Sequence, residues 1–321
     1  MVSTILFVLK LALGAVCVII LALILLGGAS HIIRMGSSPG FTLTEVEGER
    51  RLHHVCEGPA DAPFVLYDAG AFGIYADGWW LLQELKRDHR VCLYDRAGMG
   101  WSDPIPDGVE PSPDWHIEDM RRLRRALGSD APFVLIGHSM AGIRLHAYAN
   151  AYPEELLGLV FIDAARPQTM NTERIESFVP VLSGGLSFSG ILARIGLAGG
   201  VAHFMPDELQ LSAAPARDKR RSISAVSHHK ATKAELLAAV AAWPDASWRS
   251  RTDAESLPVF AYSNSVDGGA NAPVAKAAES NTGIGGVTAL PEESHVSLLN
   301  AANALKIARD VRKITGRDSD G

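Results

Sequence analysis

From residue 41 onward, short runs of almost unbroken apolar residues recur along the chain, too far apart for hairpins and separated by segments with helical spacing. Six of them are PFVLYDA (63–69), RVCLYDR (90–96), PFVLIGH (132–138), LLGLVFIDA (156–164), LPVFAYS (257–263) and GGVTALPE (285–292). A strand that is apolar on both faces must be covered on both faces, which a parallel sheet between two helical layers provides. The covering helices are read at GWWLLQELKRD (78–88), IEDMRRLRRAL (117–127), MAGIRLHAYANAYP (140–153), NAPVAKAAESN (271–281) and HVSLLNAANALKIARDVRKITG (295–316). Ahead of them FTLTEVEGERRLHHVCEG (41–58) reads as two opening strands about a turn at Glu47 and Gly48. The expectation is an α/β chain with a mostly parallel, eight-stranded sheet flanked by helices. No internal repeat is present.

Residues 166–255 interrupt the alternation. They mix Gly/Ser-rich stretches such as LSGGLSFSG with helical pieces such as TKAELLAAVAAW and hold no convincing strand. Thr232 with Glu235 three residues on is read as a capping box opening that last helix. A helical insertion between two sheet strands is most simply a cap over the sheet edge. The expected organisation is a membrane anchor over 1–30, a core in two parts over 41–165 and 256–315, a helical cap over 166–255 and a frayed tail over 316–321.

The anchor rests on Ile5 to Leu26, apolar except for Lys10, with Leu11 to Leu26 free of charge. A helix needs about 20 apolar residues to cross the hydrocarbon, and a lysine near one end can reach the interface. Bilayer contact is therefore expected through residues 5–27. A cleaved secretory signal, with small residues from Gly27 to Ser30, is the rival reading. Lys10 and the N-terminal amine roughly balance His31 and Arg34, so orientation stays open.

With 30 basic and 36 acidic residues the net charge is −6, and no basic face suited to nucleic acid stands out. Arg121, Arg122, Arg124 and Arg125 are read as the solvated side of a short helix. Three cysteines with no CxxC or His/Cys spacing suggest neither a disulfide framework nor a metal; Cys56 and Cys92 read as free thiols buried in strands.

Against this layout FVLIGHSMAGIRLHAYA (133–149) stands out, because a serine sits at the break between a buried strand and a helix, with Gly137 and Ala141 two residues to either side. Such a strand-turn-helix serine projects its hydroxyl above the carboxyl edge of the sheet, as a nucleophile elbow. Ser139 then needs a base and an acid to orient it. His295 follows the last strand and is read as opening the last helix, so it can lean over the same edge. His138, His228 and His229 are read as structural or surface residues. For the acid, Asp267 on the Gly/Asn-rich loop after the penultimate strand is preferred, with Asp163 at the end of the strand after the elbow as the alternative. The backbone amides of Met140 and Ala71 are the expected oxyanion donors, and Gly70 lets the chain turn beneath them. Trp79 and Trp80 read as helix packing, and Asp95, Arg96, Gly98 and Gly100 as a structural turn.

Together with DRAGMGWSD (95–103), which fits a DRxGxGxSD loop, and the GHSxxG elbow, these residues make 41–315 resemble the capped, serine-nucleophile branch of the α/β-hydrolase superfamily. Two departures stand out: Ala69 and Gly70, preceded by Asp68, replace the usual His-Gly of the oxyanion loop, and the glycine of the acid loop is missing near Asn264. The resemblance implies a hydrolase that cleaves an ester or thioester through an acyl-enzyme, without metal or organic cofactor. A serine at the elbow argues against the carbon–halogen and epoxide chemistry of relatives that carry aspartate there. Cap and anchor suggest a lipophilic acyl substrate. A non-catalytic, membrane-tethered binding protein and a cofactor-free perhydrolase on the same triad are the alternatives; oligomeric state is left open.

Overall fold

The computed structural model describes residues 2–36, 42–167, 172–241 and 256–317. The expected sheet forms. Its strands are β1 (Thr42–Glu47), β2 (Arg50–Glu57), β3 (Phe64–Asp68), β4 (Arg90–Tyr94), β5 (Phe133–His138), β6 (Leu156–Ile162), β7 (Val259–Ser263) and β8 (Gly285–Ala289). They lie in the order β1-β2-β4-β3-β5-β6-β7-β8. Only the β1–β2 and β2–β4 pairs are antiparallel. The parallel strands β3 and β5 are buried along their whole length, which explains their continuous apolar runs.

Helices cover both faces. One layer holds α3 (Pro113–Ala126), α4 (Ala141–Ala151) and α9 (Ala272–Thr282) over a core built on Leu66, Phe133, Leu135, Leu159 and Phe161. The other holds α2 (Trp79–Leu85) and α10 (Ala301–Thr315) over Val65, Tyr67, Val134, Ile136 and Val160. Alternate residues of β3 and β5 thus feed opposite cores, as the period of two requires.

Four local expectations are corrected. Cys56 and Cys92 are disulfide-bonded, because β2 and β4 pair antiparallel and set them directly opposite, with Cα atoms 4.2 Å apart. Neither strand order nor register could be read from the sequence. Arg124 is buried, not solvated: it donates to the carbonyls of Ser129 and Ala131 at 2.6 and 3.1 Å and pairs with Glu155 at 2.9 Å. The last helix starts at Ala301, where Asn300 caps it by accepting from the Asn303 amide, so His295 sits on the turn before it. Thr232 and Glu235 form no capping box, because α8 (Val226–Ala241) has already begun at Val226; Thr232 bonds the His228 carbonyl instead.

Within 166–255 the described helices are α5 (Thr172–Arg194), α6 (Leu197–Ala202), α7 (Ala213–Ile223) and α8. At the other end α1 (Val2–Gly36) is a continuous helix, and its window Thr4–Leu26 has a mean hydropathy of 2.9 with none of it buried. Of the expected tail, 318–321 lie outside the described residues, as do 168–171 and 242–255 of the expected cap.

Candidate active site

Ser139 follows β5 with φ of 54°, a left-handed conformation that costs a serine energy and persists only when its surroundings enforce it. They do. Its amide donates to the Ile162 carbonyl at 3.1 Å, and its carbonyl accepts from Gly142 at 3.0 Å and from Ala165 at 2.8 Å. The elbow is thereby clamped to the end of the neighbouring strand β6. Two glycines allow the close approach. A Cβ on Gly142 would lie 2.1 Å from the Ala165 carbonyl oxygen, and one on Gly70 would lie 2.8 Å from the Ser139 Cβ.

Asp163 immediately follows β6, also at positive φ, 40°. Its carboxylate accepts from His295 Nδ1 at 2.6 Å and from the Ser263 hydroxyl at 2.8 Å. Burial pushes this carboxyl up, but the hydrogen bonds from His295 and Ser263 and the charge of His295 outweigh it and hold it below its ordinary value. The structure thus brings Asp163 to His295. It does not bring Asp267 there: that carboxylate sits on an exposed turn and accepts from the Gly269 amide at 3.0 Å. The β7 loop curls back on itself instead of reaching His295, with Gly268 and Gly269 both at positive φ.

His138, next to the serine, packs its ring 4.5 Å from that of His295 and donates from Nε2 to the His295 carbonyl at 3.0 Å. Burial, with the charge of His295 adding to it, lowers its pKa to about 4, so it is a neutral support at pH 7. Among the described residues only four non-glycines have positive φ, and three of them, Phe72, Ser139 and Asp163, stand just beyond the carboxyl ends of β3, β5 and β6. Phe72 belongs to the loop that carries Ala71. Among the described residues neither the Ala71 nor the Met140 amide donates to a backbone carbonyl.

A family model for the alpha/beta hydrolase fold matches residues 69–276, more than half of the chain. The chain belongs to the alpha/beta hydrolase fold family. An uncharacterized protein of Schizosaccharomyces pombe is 29% identical over 187 residues, which cover 48% of this chain and 34% of that protein. Methylesterase 1 of Arabidopsis thaliana is 30% identical over 118 residues, or 36% of this chain and 43% of the plant protein. The chain thus spans less than half the length of the curated relatives it matches. A lipase structure from Acinetobacter baumannii, described as putative, superposes with a TM-score of 0.64 over 88% of this chain and 92% of its own, at 14% identity.

In this α/β-hydrolase the loop that approaches Ser139 is braced by a buried charge network that the sequence did not reveal. Arg96 donates to the carbonyls of Ala69 and Gly70 at 2.6 and 2.8 Å and to Glu235 of α8 at 2.8 Å. Arg144 of α4 donates to Asp68 at 2.6 Å and to the Ala69 carbonyl at 2.7 Å. The four charges sum to zero. His116 beside them is neutral, its pKa lowered to about 4 chiefly by burial. His228, also on α8, donates to the Phe72 carbonyl at 3.1 Å, and the Phe72 ring packs against it and His229. An Asp68 ending the buried strand β3 was the available signal, since a carboxylate there needs a cationic partner.

Burial raises the Glu235 carboxyl, yet the Arg96 charge wins and holds it at about 2, below its ordinary 4.5. A depressed acid stabilises the fold fully above its ordinary pKa, and that stability drains away between about pH 4.5 and 2. Glu235→Ala leaves Arg96 buried with one carboxylate, Asp68 at 3.3 Å, which it shares with Arg144, and is expected to cost about 3–5 kcal/mol at pH 7. Urea denaturation of the detergent-solubilised protein measures it; an unchanged midpoint would refute the bracing role.

Proposed function

We propose that the protein is a membrane-anchored serine hydrolase that cleaves a carboxylic ester or thioester, with Ser139 as nucleophile, His295 as base and Asp163 as the acid that orients it. The observation that carries this reading is a left-handed, clamped Ser139 at the end of β5 and a His295–Asp163 hydrogen bond at the end of the neighbouring strand β6. Ser139 Oγ attacks the carbonyl carbon while His295 takes its proton. The negative charge that develops on the carbonyl oxygen is received by the amides of Met140 and Ala71. Collapse expels the alcohol or thiol, to which His295 returns the proton. Water, deprotonated by the same ring, then splits the acyl-enzyme and frees the acid and Ser139.

In this reading residues 5–27 hold the protein to the bilayer and 166–255 act as its cap. The Cys56–Cys92 bond favours an oxidising compartment for the hydrolase domain. The test is a fluorophosphonate probe on the full chain in detergent micelles. The expected result is one adduct, on the peptide carrying Ser139, and none on Ser139→Ala. A folded protein that takes no label would sink the hydrolase reading in favour of a binding protein.

A further inference from the structure

The outer surface of the cap is apolar where a water-facing surface would be charged. On α5, Phe178, Val181, Leu182, Phe188 and Ile191 are all exposed, as is Ile195 just past its end, from 45% to 69%. The spacing of three, one, six and three residues places the five helical ones on one side of the helix. The opposite face packs on α8, where Ser189 bonds His229 at 2.8 Å. From Phe178 to Ala193 there is no charged residue. The patch continues past α6 with Phe204, 75% exposed, and Met205, 52% exposed. A contiguous apolar surface of this kind marks an interaction site.

What covers it is indicated by α1. This helix packs on α6, so tightly that a Cβ on Gly200 would fall 2.2 Å from the Leu23 carbonyl oxygen. Leu23 lies inside the apolar window, three residues or about 4.5 Å short of its end at Leu26. If that window crosses the bilayer, α6 stands at the depth of the membrane boundary, and the α5 face beside it meets lipid.

We propose that the outer face of α5, with Phe204 and Met205, is a second membrane-contact surface that lies in the interfacial layer beside α1. The proposal rests on α1 being inserted, as in the reading above. It makes the cap a part of the membrane attachment rather than a lid held above it. A cavity of about 170 Å³ lies next to the patch, lined by Ala202 and Met205 and also by Val296, the residue after His295.

The test uses the full chain in phosphatidylcholine nanodiscs with and without doxyl-labelled lipid. The native Cys17, an exposed free thiol in α1, carries an NBD dye as the reporter of insertion. In a Cys17→Ala background the dye is placed by Phe188→Cys, by Phe204→Cys, and by Asp61→Cys, an exposed control ahead of β3 at the sheet edge opposite the cap. Doxyl lipid is expected to remove most of the emission at positions 17, 188 and 204 and none at 61. Loss at 17 alone overturns the proposal and leaves the anchor standing. Loss at 188 and 204 alone keeps the surface and overturns the anchor. Blue-shifted dyes at 188 and 204 that lipid does not quench mean that protein, such as a second copy, covers the patch, which also overturns it.

Discussion

Ser139→Ala is expected to lower kcat for a soluble p-nitrophenyl ester by about 10⁴- to 10⁶-fold, with the remaining rate supplied by binding and the oxyanion donors alone. The substitution removes one oxygen and keeps the backbone as it is. The elbow is held by main-chain bonds to Ile162, Ala165 and Gly142, none of which uses the hydroxyl. Stability should therefore stay within about 0.5 kcal/mol of the parent. A glycine at the same position would remove the side chain that makes φ of 54° costly. Ser139→Gly is accordingly expected to be as inactive as the alanine variant but more stable, by about 1 kcal/mol. Urea titrations and initial rates on the three proteins separate the two effects. Substantial turnover by a folded Ser139→Ala would remove this serine from the mechanism.

The sheet was legible at its centre because β3 to β7 are almost wholly buried, whereas the edge strands β1 and β8 are not. Each run of five to seven apolar residues had no amphipathic alternative to compete with, and the elbow marked where β5 ended. Strand order is a different kind of information. β2 pairs with β4, whose partners lie 34 to 40 residues further on, and nothing in either segment names its neighbour. The Cys56–Cys92 pair went unread for that reason. Arg124 misled by its company, since three flanking arginines suggested solvent, while its own side chain was claimed by the carbonyls of the turn before β5.

At the site, what could be read were residues fixed by a local pattern. Ser139 is set by the strand-turn-helix break, and His295 by its place just after the last strand. Residues that act through long-range pairing were not readable in that role. Arg96 looked like a turn residue, and Glu235 like a helix start, although the two meet across 139 positions of sequence and brace the loop opposite Ser139. The choice of acid shows the same limit at its sharpest. Two aspartates followed two strands, and each stood on the correct side of the sheet. The conformation of a single loop, not its composition, separates them.

That separation sets the second large effect. Asp163→Asn is expected to lower kcat about 10⁴-fold, whereas Asp267→Asn should stay within about twofold of the parent. The asparagine at 163 keeps the size of the side chain and can still accept from Ser263. It brings no negative charge to the imidazolium that forms as Ser139 attacks. It can also turn its amide nitrogen toward His295 Nδ1, which would favour the tautomer with its proton on the nitrogen facing Ser139, where a base must be unprotonated. Asp267 has no comparable partner, since its carboxylate caps only its own turn at Gly269. KM should change little in either variant if substrate binds through the cap and the oxyanion loop. Initial rates on a short-chain ester, with circular dichroism to verify folding, decide the matter. The reverse ranking would mean that the loop after β7 rearranges to bring Asp267 onto His295, and that the 2.6 Å bond to Asp163 belongs to a resting state.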